Sequence, residues 1–177
     1  AHIGKAMMDR ANEAGLSEDT DTALRSSCDL RDSWHGKGRL RYAFAPRFVP
    51  SCTEELLRET IQSARESGCL LHSHASENLE EVALVKSITG LDNIEYLDSI
   101  GFIGPDVILA HCIHLSTVEL DILSQSGTVV AHCPGSNLKL ASGIAPVATF
   151  LQNGTTVTLG SDGAPCNNRM DIFAEMR

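Results

Sequence analysis

The chain contains no run of about 18 apolar residues, so no part of it reads as a transmembrane helix. Its first ten residues, AHIGKAMMDR, lack the basic, then apolar, then small order of a secretory signal. With no targeting segment in view, the expected location is the cytoplasm. An excess of basic residues is also missing. Fourteen Lys and Arg stand against 23 Asp and Glu, a net charge of -9. That sign is wrong for a protein whose main partner is a phosphate backbone, so nucleic acid is excluded as such, and the expectation includes no membrane partner either. None of the six cysteines (Cys28, Cys52, Cys69, Cys112, Cys133, Cys166) stands in CxxC spacing. A zinc knuckle is therefore unsupported, and without a secretion signal the thiols read as reduced, not as a disulfide frame. No GxGxxG follows any apolar run, which weakens a dinucleotide site. Low-complexity segments, long charge runs and short-period repeats are absent as well.

What is present is a regular alternation of segments in an ordinary composition, 42% hydrophobic and 21% charged, with enough apolar surface for a core. LRYAFAP (Leu40 to Pro46) is a β-rich run. Ser51 to Glu54 has capping-box spacing and opens a helix that Gly68 stops. CLLHSH (Cys69 to His74) is the next strand, and Glu77 to about Ile88 the next helix. DVILAH (Asp106 to His111) is a strand. A second capping box, Ser116 to Glu119, opens a helix ending near Gly127. TVVAHC (Thr128 to Cys133) is a strand, followed by a loop rich in Gly, Ser and Pro and a short helix from about Ala145 to Asn153. TTVTLGSD (Thr155 to Asp162) is the last strand, and Asn167 and Asn168 are expected to cap a final helix, DIFAEMR.

The strands are short and continuously apolar, the pattern of parallel strands buried on both faces. Repeated β–α units with short links predict a parallel α/β fold, either an open doubly wound sheet or a (β/α)8 barrel. His74, His111, His132 and Asp162 each stand at or just past the C-terminal end of a different strand. A barrel gathers those ends around one mouth, whereas an open sheet spreads them along an edge, so the barrel is favoured. A barrel needs roughly 250 residues. Here about five β/α units and a sixth strand in AHIGKAMM are visible. The expectation is a TIM barrel that is incomplete, with about strands 3 to 8 present.

In LLHSHASENLEE (Leu70 to Glu81), two histidines and a glutamate occupy six positions. Side chains alternate along a strand, so His72 and His74 share a face. Zinc or iron takes imidazole and carboxylate ligands, and His74 and Asp162 are candidates for two of them. Glu77, three residues past His74, can reach a substrate without binding the metal, and His111 can contact an oxyanion or the attacking water. That is a cast for metal-assisted hydrolysis, in which the metal lowers the pKa of water to about 7 and a carboxylate moves the protons. Plainer readings stand beside each candidate. His72 and His114 are read as structural hydrogen-bonders. Asp162 has the alternative of a turn aspartate, and Glu77 that of a solvated charge favoured by a helix dipole. His132 beside the glycine-rich loop hints at substrate contact. Arg47, just past a strand end in APRFVPSC, either faces the mouth or makes a surface salt bridge.

The stretches HSHASEN, AHCIHLS, AHCPGSNLKLASGIAPV and TLGSDGAPCNNRMDIFAEMR closely resemble the amidohydrolase superfamily. The branch is the one holding S-adenosylhomocysteine, methylthioadenosine and 5′-deoxyadenosine deaminases together with triazine chlorohydrolases. The likeness runs from about Gly4 to the end. It implies a (β/α)8 barrel with a small β-sandwich, one divalent metal (zinc first, iron second), a small heterocyclic substrate, and homo-oligomers in the full-length protein. It implies His74 and Asp162 as metal ligands, Asp162 also as the base for the attacking water, Glu77 as the proton shuttle and His111 as the contact to water or substrate. His132 and Arg47 become substrate-binding candidates, Arg47 because PRF resembles guanine deaminases, where an arginine contacts the purine. The family also uses an HxH pair on its first barrel strand, and no HxH lies upstream of HSH here. Residues 1–177 are therefore expected to be a partial barrel domain without the first strands and the C-terminal segment. The implied activity is hydrolytic deamination of an adenine-type nucleoside. Guanine or aminopurine deamination and chlorotriazine hydrolysis are alternatives, and a non-catalytic barrel remnant is the alternative from another class.

Overall fold

The computed structural model describes residues 1–10, 15 and 17–177. Among the described residues seven strands lie in one parallel sheet: β1 (His2–Ile3), β2 (Ala6–Met7), β3 (Arg41–Pro46), β4 (Leu70–Ala75), β5 (Val107–His111), β6 (Val129–His132) and β7 (Thr156–Leu159). Their order is β1-β3-β4-β5-β6-β7, with β2 also on β3. β1 and β2 are thus two halves of one strand position, broken at Gly4. A Cβ at Gly4 would lie 2.0 Å from the Ala43 carbonyl oxygen, so the chain passes β3 at a distance only glycine allows.

Strands adjacent in space are adjacent in sequence, and the order never reverses. A doubly wound sheet needs a reversal, which is where its crevice forms. Without one, right-handed crossovers put the intervening helices on a single face and leave the other as a barrel interior. The packing has that form. Phe44, Leu71, Leu109 and Val130 point from the strands into a core shared with Leu56 and Leu57, Val85, Leu123 and Phe150 from the helices. The opposite face carries a separate small cluster of Ala110, Ala131 and Cys133 with Ile108. The chain is a wall of a (β/α) barrel, a half-barrel. Each fully buried Leu or Phe of the helix-facing core stabilises the fold by roughly 1.5–3 kcal/mol, so this layer sets the rigidity of the strand ends.

One expectation is corrected here. Helices cover only one face, so the strands are not uniformly buried. β4 alternates half-buried and buried along its length, with His72 and His74 on the half-buried face. In-register pairing places His74, Ala110, Ala131 and Thr158 in one row across the inner face.

The helices are α1 (Thr20–Trp34), α2 (Glu54–Glu66), α3 (Leu79–Thr89), α4 (Asn93–Ser99), α5 (Thr117–Ser126), α6 (Pro134–Lys139), α7 (Val147–Gln152) and α8 (Ile172–Glu175), with a short 3-10 turn at Val49–Ser51. The α5 capping box forms with both reciprocal bonds. The α2 cap differs from expectation. Pro50 draws Val49–Ser51 into the 3-10 turn, and Thr53 caps instead, accepting from the Leu56 N–H. The Asp9 carboxylate fixes that cap by accepting from the Thr53 N–H at 2.7 Å and from its hydroxyl. The expected loop after Cys133 is helical at its start, because Pro134 occupies the first helical position, where its missing N–H costs nothing. The last helix is capped by Asp171, not by Asn167 and Asn168. Asn167 instead accepts from the N–H groups of Arg169 and Met170 and makes a turn. α3 opens two residues after Glu77, with Asn78 as its cap, so Glu77 lies in the connection and not in the first turn. The sequence reading places no element over residues 20–34 or 93–99, where α1 and α4 form. Among the described residues no helix is long and apolar enough to cross a membrane.

All six cysteines are free. Burial pushes the Cys133 thiol up to about 12, with nearby carboxylates adding to it. Burial also raises Cys112, helped by the Glu81 and Glu119 charges, and raises Cys52. Cys28 and Cys166 are only partly buried. Thiolate is the form that alkylates. Iodoacetamide at pH 8 on the folded, full-length protein is therefore expected to label Cys28 and Cys166 first, and Cys112 and Cys133 only after unfolding, as read by peptide mass mapping. Early labelling of Cys112 would contradict this packing.

Candidate active site

The C-terminal ends of β4, β5 and β7 converge on one cluster of polar side chains. His74 donates from Nδ1 to the Arg47 carbonyl at 2.8 Å, and its own N–H donates to the same oxygen at 3.0 Å. That carbonyl is held in turn, since the Arg47 N–H donates to Met7 and the Ser73 hydroxyl donates to the Arg47 oxygen. With its proton on Nδ1, His74 keeps the Nε2 lone pair free, the state a metal-ligating histidine needs. Burial lowers its pKa, against the Arg47 hydrogen bond, and favours that neutral form. His72 stands edge-on to His74 with ring centroids 5.7 Å apart. Burial, with His74 and His111 adding to it, lowers His72 to about 4.

Glu77 follows on the connection from β4 to α3. Its Oε1 accepts from the Ser142 hydroxyl at 3.1 Å, and its Oε2 lies 3.7 Å from His111 Nε2. Ser142 is itself held, because its carbonyl accepts from His114 Nε2 at 2.7 Å. The turn that delivers Glu77 is stitched on both sides. The N–H groups of Ile113 and His114 donate to the Ser76 carbonyl, and those of Ser76 and Glu77 donate to the carboxylate of Glu81.

His111 is buried at the end of β5, with its ring stacked on His74 at 5.4 Å. Its Nδ1 donates to Asn137 Oδ1 at 2.8 Å, which orients Nε2 toward Glu77. Asp162 lies three residues past β7. Its Oδ2 accepts from the Ser136 hydroxyl and its Oδ1 from the Gly163 N–H, each at 2.6 Å. Burial raises the Asp162 carboxyl, but these two hydrogen bonds and the nearby His111 and His74 outweigh it and leave the group below the ordinary carboxylate value. Lys139 closes the loop beyond, donating to the Pro165 carbonyl and to Asn168.

Backbone strain marks the same places. Ser76, His111, Cys112 and Asp162 all have positive φ, at 53°, 73°, 49° and 59°. Non-glycine residues in this region cost free energy and persist only where the surroundings overdetermine them, which is common at active sites. In each case the strain falls where a strand ends.

His74, Glu77, His111 and Asp162 are thus brought together. Arg47 joins them through its backbone, while its guanidinium lies over the Phe48 ring at 4.5 Å. His132 stands apart. The strand alternation that turns Ala131 and Cys133 inward turns His132 the other way, toward a cavity of about 130 Å³ shared with Asn137, Leu138 and Ile144. His114 donates from Nε2 to the Ser142 carbonyl. Ser136, Asn137, Ser142 and Glu81 were not legible as site residues. The first three lie in the polar segment from Ser136 to Ser142, and no spacing ties them to His111, Asp162 or Glu77. A cavity of about 620 Å³ opens beside Glu77, between Leu79, Glu80, His114 and Ala141. The apolar groove at Ile3, Leu30 and Trp34 flanks β1 and the start of β3, at the opposite end of the strands.

His74 Nε2 and the Asp162 carboxylate are donors of the type zinc takes. Among the described residues no group of three or more His, Cys, Asp or Glu is placed to hold a metal ion. The pair therefore fits as part of a ligand shell and not as a whole one.

The chain matches the amidohydrolase family model over residues 1–177. It is 41% identical over 167 residues to a 5′-deoxyadenosine deaminase of Methanothermobacter thermautotrophicus, covering 93% of this chain and 39% of the relative. It is 38% identical over 179 residues to 5-methylthioadenosine/S-adenosylhomocysteine deaminase 2 of Archaeoglobus fulgidus, covering 100% of this chain and 42% of the relative. Its structure superposes on guanine deaminase from C. acetobutylicum with bound guanine at a TM-score of 0.89, with 34% identity, covering 93% of this chain and 40% of that one. The chain thus spans about two fifths of the length of the relatives it matches. From the row of strand ends to the family match, the observations agree: the chain belongs to the amidohydrolase family.

Proposed function

We propose that this chain supplies part of the active site of a hydrolytic deaminase acting on an adenine-type nucleoside, 5′-deoxyadenosine, S-adenosylhomocysteine or methylthioadenosine. One observation carries the reading most directly. The Glu77 carboxylate is fixed by Ser142, faces His111, and follows His74 by three residues. A proton carrier, a water contact and a ligand candidate thus share one mouth. A divalent metal, zinc first and iron second, would be held by His74 Nε2 and Asp162 with ligands beyond these two, and would supply the Lewis acid that lowers the pKa of water to about 7.

The chain's own residues do the rest. Water adds to the amino-bearing ring carbon, and Asp162 takes a proton from it. Glu77 protonates the adjacent ring nitrogen, which receives the electron pair of the C=N bond. His111, oriented by Asn137, contacts the attacking water and steadies the tetrahedral carbon. The amino group then leaves as ammonia with the proton that Asp162 took, the added hydroxyl gives its proton back to Glu77, and a ring carbonyl remains. Carboxylates placed this way contribute about 10²–10⁴-fold through general acid–base catalysis. Arg47 is proposed to act on the substrate from the rim, and His132 to act on it through the cavity that it shares with Asn137. We read residues 1–177 as a partial barrel domain of a longer protein, located in the cytoplasm and forming homo-oligomers at full length.

Likeness to guanine deaminase, together with Arg47 in the PRF segment, favours guanine as the second substrate. The test is ammonia release by the metal-loaded, full-length protein on 5′-deoxyadenosine, S-adenosylhomocysteine, methylthioadenosine, guanine and an aminotriazine. Rapid release from one of the three nucleosides is expected. Release from guanine alone would replace the nucleoside reading, and no release from any compound with metal bound would refute deamination.

A further inference from the structure

We infer that Glu81 is a positioning residue that aims the Glu77 proton shuttle; the inference rests on the deaminase reading above. Glu81 stands one turn beyond Glu77, where a surface charge is the ordinary outcome, yet it is 5% exposed. Its carboxylate accepts from three donors in two segments, the β4–α3 connection and the start of α4. Oε1 accepts from the Ser76 N–H at 3.0 Å and from Asn93 Nδ2 at 2.6 Å. Oε2 accepts from the Glu77 N–H at 2.8 Å. Its own N–H is capped by the Asn78 side chain. Ser76, between His74 and Glu77, is in the left-handed region at φ 53°, so this turn needs an outside hold. Two adjacent N–H groups bound to one carboxylate supply it.

The hold extends sideways. Asn93 begins α4, and the next N–H, that of Ile94, donates to Glu119 at 2.9 Å. Glu119 also accepts from the Ser116 N–H. The two connections that carry Glu77 and His114 are thus joined through the start of α4. Buried, fully paired carboxylates of this kind have a strong preference for one geometry, and breaking one bond leaves a buried group unsatisfied.

Glu81→Gln is a selective probe. A Gln amide has one acceptor oxygen and one NH2. With the oxygen placed on Ser76 and Asn93, the NH2 faces the Glu77 N–H, donor against donor. Only the bond that aims Glu77 is lost. In the full-length, metal-loaded protein, kcat on the best nucleoside is expected to fall on the order of 10²-fold, the scale of a small misplacement of a catalytic group. KM should stay near wild type, and the thermal midpoint should fall by no more than the loss of one buried hydrogen bond, with the protein fully folded at the assay temperature. Affinity for a purine-ring analogue with a tetrahedral, hydroxyl-bearing carbon should fall with kcat, while affinity for the product should not.

Glu77→Gln runs beside it. Wild-type kcat in Glu81→Gln with an inactive Glu77→Gln overturns the inference and leaves the deaminase reading standing. An active Glu77→Gln overturns that reading, and the inference with it. A fall in kcat that merely tracks lost folded protein assigns Glu81 to structure and overturns the positioning role. Should Glu81→Gln not fold, Glu81→Asp draws the carboxylate back from the Glu77 N–H by one methylene, and a folded Glu81→Asp with wild-type kcat overturns the inference.

Discussion

Glu77→Gln in the full-length, metal-loaded protein is expected to lower kcat by about 10²–10⁴-fold, with the KM for the nucleoside little changed. The substitution is nearly isosteric. The amide oxygen can still accept from the Ser142 hydroxyl, so the connection between β4 and α3 keeps its shape. What is lost is an oxygen that can gain and release a proton next to His111 Nε2. An effect confined to kcat is the mark of an interaction made in the transition state and not in substrate binding. The measurement is steady-state ammonia release with the thermal midpoint as a control for folding. Near-normal turnover would remove Glu77 from the mechanism.

Asp162→Asn is expected to have the second large effect, on metal and turnover together. Asp162 accepts one hydrogen bond on each oxygen, from Ser136 and from Gly163. In the asparagine variant the amide oxygen can keep the Gly163 N–H, and the Ser136 hydroxyl can turn to accept from the NH2. The loop therefore has a route to stay folded while the carboxylate proposed as ligand and base is gone. Partners that only support a metal ligand cost 10–100-fold in affinity or activity when removed. Loss of a ligand should exceed that range, so a fall of at least about 10²-fold in both metal retention and kcat is expected. Metal analysis of the purified variant beside its rate is the check. Full metal content at wild-type stoichiometry would show that Asp162 is no ligand, and full activity would show that it is no base.

The local signals were strong wherever a segment's fate is decided within a few residues. The runs that became β4, β5 and β6 were legible to within about one residue, because each is a short apolar stretch bounded by Gly, Pro or Ser. The Ser116 box was legible because both of its bonds lie within four residues. Thr53 as the cap of α2 was not. Asp9, a residue 44 positions earlier in the chain, holds it, and no pattern near Thr53 points there. The α6 helix was hidden because a Gly, Ser and Pro composition suits a loop as well as a short helical turn.

The candidate site divides along the same line. His74 and Glu77 could be read together because they share one strand end and its connection, and strand alternation places His72 beside them. His111 and Asp162 could be read as strand-end residues of a parallel fold. By itself, then, the sequence determined the order of β and α segments, the parallel class, and which polar residues stand at strand ends, since hydrophobic runs and caps are local in their physics. Only the tertiary structure decided that the strand order never reverses, that Asn137 turns the His111 ring, that Ser142 grips Glu77, and that Glu81 is buried under the turn before it. Those outcomes rest on hydrogen bonds and burial between segments that meet only when the barrel wall forms, and no local pattern in the chain encodes which partner each will find.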